Sequence, residues 1–132
     1  MSEGADLLVL VIDDNERNRR LARDVLRFGG LRTIEAETAM DGIRAAVASS
    51  PDVILMDIRL PDLDGPAALN LLRADPRTAG IPVVAVTSSA MMGDRERLLG
   101  AGFDGYLEKP INVREFAGQV RVHARPSEES RG

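Results

Sequence analysis

Asp57 closes the apolar run Val53-Ile54-Leu55-Met56, and Asp13-Asp14 close the similar run Leu8-Val9-Leu10-Val11-Ile12. Two short, continuous apolar runs of this kind predict strands buried on both faces of a parallel sheet. A carboxylate at the last residue of such a strand lies on the carboxyl edge of the sheet, where open α/β folds place their ligand sites. Three acidic side chains are therefore expected at one sheet edge. Like charges held in one small pocket repel, so the cluster calls for a neutralising partner. A hard divalent cation with oxygen ligands fits that need best, which points to Mg²⁺.

The elements that must position this cluster alternate five times along the chain. After a strand over 7–12, Asn15 can cap a helix whose Leu21, Ala22, Val25, Leu26 and Phe28 follow a helical spacing. Gly29-Gly30 ends that helix, a position that suits glycine's left-handed freedom. Arg32 to Ala36 predicts a short, half-polar strand, and Thr38 a cap for a helix over 39–49 that stops before Pro51. The strand 53–57 leads through Arg59-Leu60-Pro61-Asp62-Leu63-Asp64-Gly65 into a helix through Leu69, Leu71, Leu72 and Ala74, which ends near Pro76. Pro82 to Thr87 is a further buried strand, with Ser88 or Ser89 capping a helix from Met91 to about Leu99. The last strand is Gly105-Tyr106-Leu107-Glu108, followed by Lys109-Pro110. Asn112 and Glu115 then resemble a capping box for a final helix carrying Val113, Phe116, Val120 and Val122. Such alternation implies βαβ units, right-handed crossovers and a sheet covered by helices on both sides.

Bulk properties bound the rest. A chain of 132 residues suits a single domain, read here as 6–124, with 1–5 as an N-terminal extension and 125–132 as a polar tail expected to be disordered. Aromatics are few, so the core must be built from Leu, Ile, Val, Ala and Met. A net charge of −4, with like charges running no further than pairs such as Arg19-Arg20, argues against a nucleic-acid binder. There is no cysteine, hence neither a disulfide framework nor thiolate chemistry. No apolar stretch approaches the roughly 20 residues needed to cross a bilayer, and the start Met1-Ser2-Glu3-Gly4 lacks a signal-peptide pattern. The expectation is a soluble cytoplasmic protein.

Strand order cannot be read from periodicity, but the chemistry constrains it. In the flavodoxin-like doubly wound order 2-1-3-4-5, strands 1 and 3 flank the switch point. Asp13, Asp14 and Asp57 would then converge, with Thr87 and Lys109 arriving from the neighbouring strands. Carboxylates, a hydroxyl and an ammonium around one crevice suit the handling of a phosphoryl group on Mg²⁺.

At these residues the chain resembles the receiver domain of bacterial two-component response regulators, over residues 6 to 124. The matching pieces are Val11-Ile12-Asp13-Asp14-Asn15-Glu16, Met56-Asp57 with Pro61 and Asp64-Gly65, Ala85-Val86-Thr87, and Tyr106-Leu107-Glu108-Lys109-Pro110-Ile111. Each is weak alone; four in order, each at a predicted strand end, form a specific signal. The segment from Pro82 through Met92-Gly93-Asp94 to Pro110 is similar to single-domain regulators related to the cell-cycle regulator DivK.

The resemblance implies an α/β fold, a flavodoxin-like (βα)5 three-layer sandwich on a parallel sheet in the order 2-1-3-4-5. It implies a signalling domain and not an enzyme, apart from assisting its own phosphorylation and dephosphorylation. Asp57 would be the phosphoacceptor, attacking a phosphohistidine on a histidine kinase or histidine phosphotransfer protein. Asp14, Asp57 and the backbone carbonyl of Arg59 would hold Mg²⁺, with Asp13 contributing through water. Thr87 and Lys109 would bind phosphoryl oxygens, and Tyr106 would turn inward as the threonine hydroxyl is drawn to them. The Lys109-Pro110 bond is expected to be cis. Output would leave through the fourth helix, fifth strand and fifth helix toward an unknown downstream protein, with no direct nucleic-acid contact and no membrane insertion.

Plainer readings stand beside these. Asp13-Asp14 could serve as a charge pair at a helix start, where anions are favoured. Thr87 alone reads as a satisfied strand residue, Lys109 as a solvated lysine and Tyr106 as edge-strand packing. His123 reads as a surface residue, Arg17-Arg19-Arg20-Arg23 as a solvated helix face, and Met91-Met92 as core and loop packing. Gly29-Gly30 has no functional account. A competing function is a small phosphatase-like hydrolase with an aspartyl nucleophile. Such an enzyme usually carries a second acid two residues on, where this chain has Arg59, and a cap segment that this chain lacks. A phosphoryl sink without its own output is a further alternative.

Overall fold

A computed structural model of the chain describes residues 7–88 and 94–124. The expectations for the N-terminal extension, the 125–132 tail, Met91-Met92, the Ser89 cap, the Met91 helix start and the Met92-Gly93 part of the DivK-like segment lie outside these residues.

Ten elements alternate along the chain: β1 (Leu8–Ile12), α1 (Glu16–Phe28), β2 (Arg32–Ala36), α2 (Ala39–Ser49), β3 (Val53–Asp57), α3 (Gly65–Ala74), β4 (Val83–Thr87), α4 (Asp94–Gly100), β5 (Gly105–Glu108) and α5 (Phe116–His123). The five strands form one parallel sheet in the order β2-β1-β3-β4-β5. β1, β3 and β4 are continuous apolar runs because both of their faces are covered. Successive side chains point to opposite faces. Leu10, Ile12, Ile54, Met56, Val83 and Ala85 accordingly pack with Ala39 and Ala46 of α2, Leu69 and Leu72 of α3, and Leu98 of α4. Val9, Val11, Val53, Leu55, Val84 and Val86 pack on the other side with Ala22 and Leu26 of α1 and Phe116 and Val120 of α5.

Polar caps set where three of the helices begin. The side chains of Asn15, Thr38 and Asp64 accept from the amides of Asn18, Asp41 and Ala67 respectively, starting α1, α2 and α3. Each such cap stabilises its helix by about 1 kcal/mol. The last helix departs from expectation. Asn112 spends its side-chain oxygen on the amides of Arg114 and Glu115 within a turn, Glu115 makes no side-chain cap bond, and α5 starts only at Phe116. Val113 and Val122 consequently point to solvent.

Three further sequence readings are corrected. Leu21 and Phe28 do not join the buried stripe of α1, which consists of Arg19, Ala22 and Leu26; Phe28 is 96% exposed. Arg19 is buried, not part of a solvated arginine face. His123 is half-buried rather than on the surface, because its ring occupies the space a side chain at position 105 would fill: a Cβ on Gly105 would lie 2.6 Å from the imidazole. The Gly29-Gly30 pair gains a structural account. A Cβ on Gly29 would meet the Ala117 methyl at 2.7 Å, and Gly30 turns the chain at φ +91°.

Candidate functional site

Strand register brings the chemistry-bearing residues to one edge. Ile12 lies opposite Met56, so Asp13 and Asp57 are level on adjacent strands. Asp57 lies opposite Val86, which puts Thr87 one residue further along β4. Thr87 lies opposite Glu108, which delivers Lys109 just past the end of β5. All of these ends are carboxyl ends, because the sheet is parallel.

Asp13 and Asp57 are buried, whereas Asp14 is exposed at the rim. One carboxylate oxygen from each lies within 4.8 Å of the others, a donor set of hard oxygens suited to a divalent cation. Each buried carboxylate is fixed at both oxygens. Asp13 Oδ1 accepts from the Asn15 amide at 2.9 Å and Asp57 Oδ1 from the Arg59 amide at 2.8 Å. The second oxygen of each accepts from the Lys109 ammonium, at 2.8 Å in both cases. The Lys109 amide donates to the Thr87 carbonyl at 2.8 Å, so the chain leaving β5 is tied to the end of β4. The Lys109-Pro110 peptide is cis.

The electrostatics of Lys109 reflect opposing effects. Burial pulls its ammonium down, but the hydrogen bonds and charges of Asp13 and Asp57 outweigh that and hold it above its ordinary value. Lys109 is also the only lysine of the chain; every other basic side chain apart from His123 is arginine.

Thr87 is buried at the end of β4. Tyr106 is half-buried against the core beside β4, and burial followed by the nearby charges of Glu108 and Asp94 raises its phenol above the ordinary range, with Arg95 opposing. Arg59 is exposed and forms an antiparallel bridge with Asp64; its backbone amide is the part that reaches the acidic cluster. The structure therefore gathers Asp13, Asp14, Asp57 and Lys109, with the Arg59 backbone adjoining them. Thr87 stands at the neighbouring strand end, and Tyr106 lies two residues back from the end of β5, level with Ala85 of β4.

Two residues near the site escaped sequence reasoning. Arg19 reaches back from α1 to the Asp13 carbonyl, inside a cluster of arginines that looks solvated in sequence. Asp62, in the loop after β3, accepts from the Ala39 and Met40 amides at 2.9 and 3.0 Å and so caps α2 from outside. Those bonds, the Met40 amide foremost, hold its carboxyl below the usual range. Its loop position carried no sequence signal beyond its acidity.

A family model described as the response regulator receiver domain matches residues 9–121. Among curated relatives, the polar-differentiation response regulators DivK of Brucella ovis and Brucella anthropi are each 38% identical over 115 residues, spanning 87% of this chain and 94% of theirs. The receiver domain of the sensor histidine kinase PA1611 from Pseudomonas aeruginosa PAO1, solved with a magnesium ion coordinated in its active-site cleft, is 34% identical. It superposes with a TM-score of 0.81 over 89% of this chain and 97% of that one. The chemotaxis response regulator CheY4 of Vibrio cholerae, at 21% identity, shares the fold with a TM-score of 0.81 over 88% of this chain and 97% of that one. The chain belongs to the response regulator receiver domain family and is a receiver domain of two-component signalling.

Proposed function

We propose that Asp57 accepts a phosphoryl group from a phosphohistidine on a histidine kinase or phosphotransfer protein, and that the resulting adduct changes which protein this domain binds. The observation that carries the proposal is the Lys109 ammonium shared at 2.8 Å between Asp13 and Asp57. It holds two buried carboxylates close together and offsets the charge of both, leaving Asp57 presented at the carboxyl edge of the sheet where a nucleophile is required.

In the reaction, an Asp57 carboxylate oxygen forms the new bond to phosphorus as the phosphorus–nitrogen bond to the donor histidine breaks. The bonding electrons leave with the imidazole. The Arg59 amide orients Asp57 through Oδ1. Lys109 already lies at Oδ2 and transfers its hydrogen bonding to a phosphoryl oxygen as negative charge arrives there. The Thr87 hydroxyl supplies a further hydrogen bond. Asp14, Asp57 and the Arg59 carbonyl would hold Mg²⁺ directly and Asp13 through water. When bound, the ion neutralises charge on the carboxylates and the phosphoryl oxygens.

The switch couples Thr87 to Tyr106, whose half-buried ring can move inward when the threonine side is drawn toward the phosphoryl group. The affected surface is α4, β5 and α5, where a downstream protein would read the state. The domain also assists hydrolysis of its own acyl phosphate, since the same groups stabilise the same charge. Incubation with a radiolabelled phosphohistidine donor tests the proposal: label should move to the wild-type chain and not to Asp57→Asn. Equal transfer to both would reject Asp57 as the acceptor.

A further inference from the structure

We infer that Arg19 is the residue that positions the metal-binding half of the site. This rests on the proposed Mg²⁺ reading, and concerns a residue of α1 that does not itself touch the ion or the phosphoryl group. Arg19 folds back over the turn between β1 and α1, and its Nη1 donates to the Asp13 carbonyl at 2.8 Å in a buried setting. The Asp13 amide donates to the Ala36 carbonyl of β2 at 3.1 Å. The peptide groups on both sides of the Asp13 Cα are thus tied, one to β2 and one to α1. Its carboxylate is left a fixed direction, toward the Asn15 amide and Lys109.

The guanidinium is itself held. Its Nε lies 3.4 Å from Glu35 and its Nη2 lies 3.8 Å from Glu37, at and just past the end of β2. Two carboxylates beside one guanidinium more than offset its charge, so Arg19 does little to neutralise the acidic cluster. Its contribution is geometric. A planar fork with several donors can serve the Asp13 carbonyl and the glutamates together; a lysine ammonium in its place would turn to the glutamates, where the opposing charge is. Arg23 supplies an internal control. It lies 3.7 Å from the same Glu35 and bonds its helix neighbour Asp24; among the described residues it is Arg19, not Arg23, that donates to the Asp13 carbonyl.

Calorimetric Mg²⁺ titration of the full chain is the test, with Arg19→Met, Arg19→Lys and Arg23→Met compared with wild type. Residues that orient metal ligands typically change affinity by 10–100-fold when lost, so Arg19→Met should weaken Mg²⁺ binding by about tenfold. Arg19→Lys keeps the glutamate pairing and with it the fold. It should still bind Mg²⁺ more weakly than wild type, with faster hydrogen exchange at the Asn15 amide that reports the direction of the Asp13 carboxylate. Arg23→Met should match wild type. If Arg19→Met does not fold, Arg19→Lys decides: wild-type Mg²⁺ affinity and an unchanged Asn15 amide in that variant overturn the inference and leave Arg19 a structural residue. Wild-type affinity in a folded Arg19→Met, even with a lowered melting temperature, overturns it equally. Failure of the wild-type chain itself to bind Mg²⁺ would overturn the metal reading and this inference together.

Discussion

Lys109 donates to Asp57 Oδ2 at 2.8 Å across 52 residues of sequence, and the same ammonium reaches Asp13 Oδ2 at 2.8 Å. One cation thereby satisfies two buried anions from different strands. Replacing Lys109 by Met leaves Asp13 and Asp57 facing each other without a counter-charge. The variant should lose about 2 kcal/mol in Mg²⁺-free buffer, less than for a sealed ion pair because the site opens to solvent at Asp14. Urea unfolding measures this, and millimolar-range Mg²⁺ should restore part of the loss. Unchanged stability in the variant would show that the bridge contributes nothing to the fold.

The same pair predicts an alkaline limit. The Lys109 ammonium is held above its ordinary 10.5, so the folded state keeps this proton to higher pH than the unfolded chain does. Its contribution to stability is full below that ordinary value and is lost as pH rises through the folded-state value. Tyr106, raised above 10.0, acts in the same direction. Because Lys109 is the only lysine and Tyr106 the only tyrosine, the two can be separated cleanly. Nuclear magnetic resonance titration of the single lysine side chain should give a folded-state midpoint above 10.5. Wild type should also lose stability relative to Lys109→Met over this range. A midpoint at or below the ordinary value would contradict the bridge.

Mg²⁺ should stabilise the fold by mass action, since a ligand bound only by the native state adds stability. Three carboxylates within 4.8 Å form that ligand set, and Asp14 is the exposed member. Thermal melting temperatures should rise with millimolar-range Mg²⁺ in wild type and much less in Asp14→Ala. Without metal, removing one repelling charge should leave Asp14→Ala at least as stable as wild type. Equal responses to Mg²⁺ in the two proteins would rule out a metal role for Asp14.

Much of this arrangement was legible because it follows from local pattern. Val53 to Met56 and Val83 to Val86 are apolar at every position only because both faces of the sheet are covered. Each run therefore announced a central strand, and the polar residue that closed it announced the sheet edge. Asn15 and Thr38 marked helix starts because their caps are local. What failed depended on distant partners. Arg19 looks like its exposed neighbours Arg17 and Arg20 until Glu35 and Glu37 of a different element fold over it. Phe28 fits an apolar spacing, but the face that meets the sheet runs through Arg19, Ala22 and Leu26 and passes it by. His123 became half-buried because Gly105, on another element, leaves room for its ring. Asn112 carried a true capping chemistry, which the fold uses on a turn ahead of α5.

Switching should depend on Thr87. A phosphoryl group can shift a conformational equilibrium only by its different interaction with the two states, and the Thr87 hydroxyl is the proposed link to Tyr106. Thr87→Ala should still accept phosphate but bind the downstream partner almost equally in both states. Lys109→Ala should impair coupling more, since it removes a charged contact. Partner affinities of phosphorylated and unphosphorylated forms decide this. A Thr87→Ala variant with the wild-type ratio would send the signal by another route.

The central claim, that Asp57 is the phosphoacceptor, is tested most directly by intact-protein mass spectrometry after incubation with acetyl phosphate and Mg²⁺. The wild-type chain should gain a single phosphoryl group, gain none when the metal is chelated beforehand, and yield no adduct as Asp57→Asn. Persistent labelling of Asp57→Asn at one site would contradict the account.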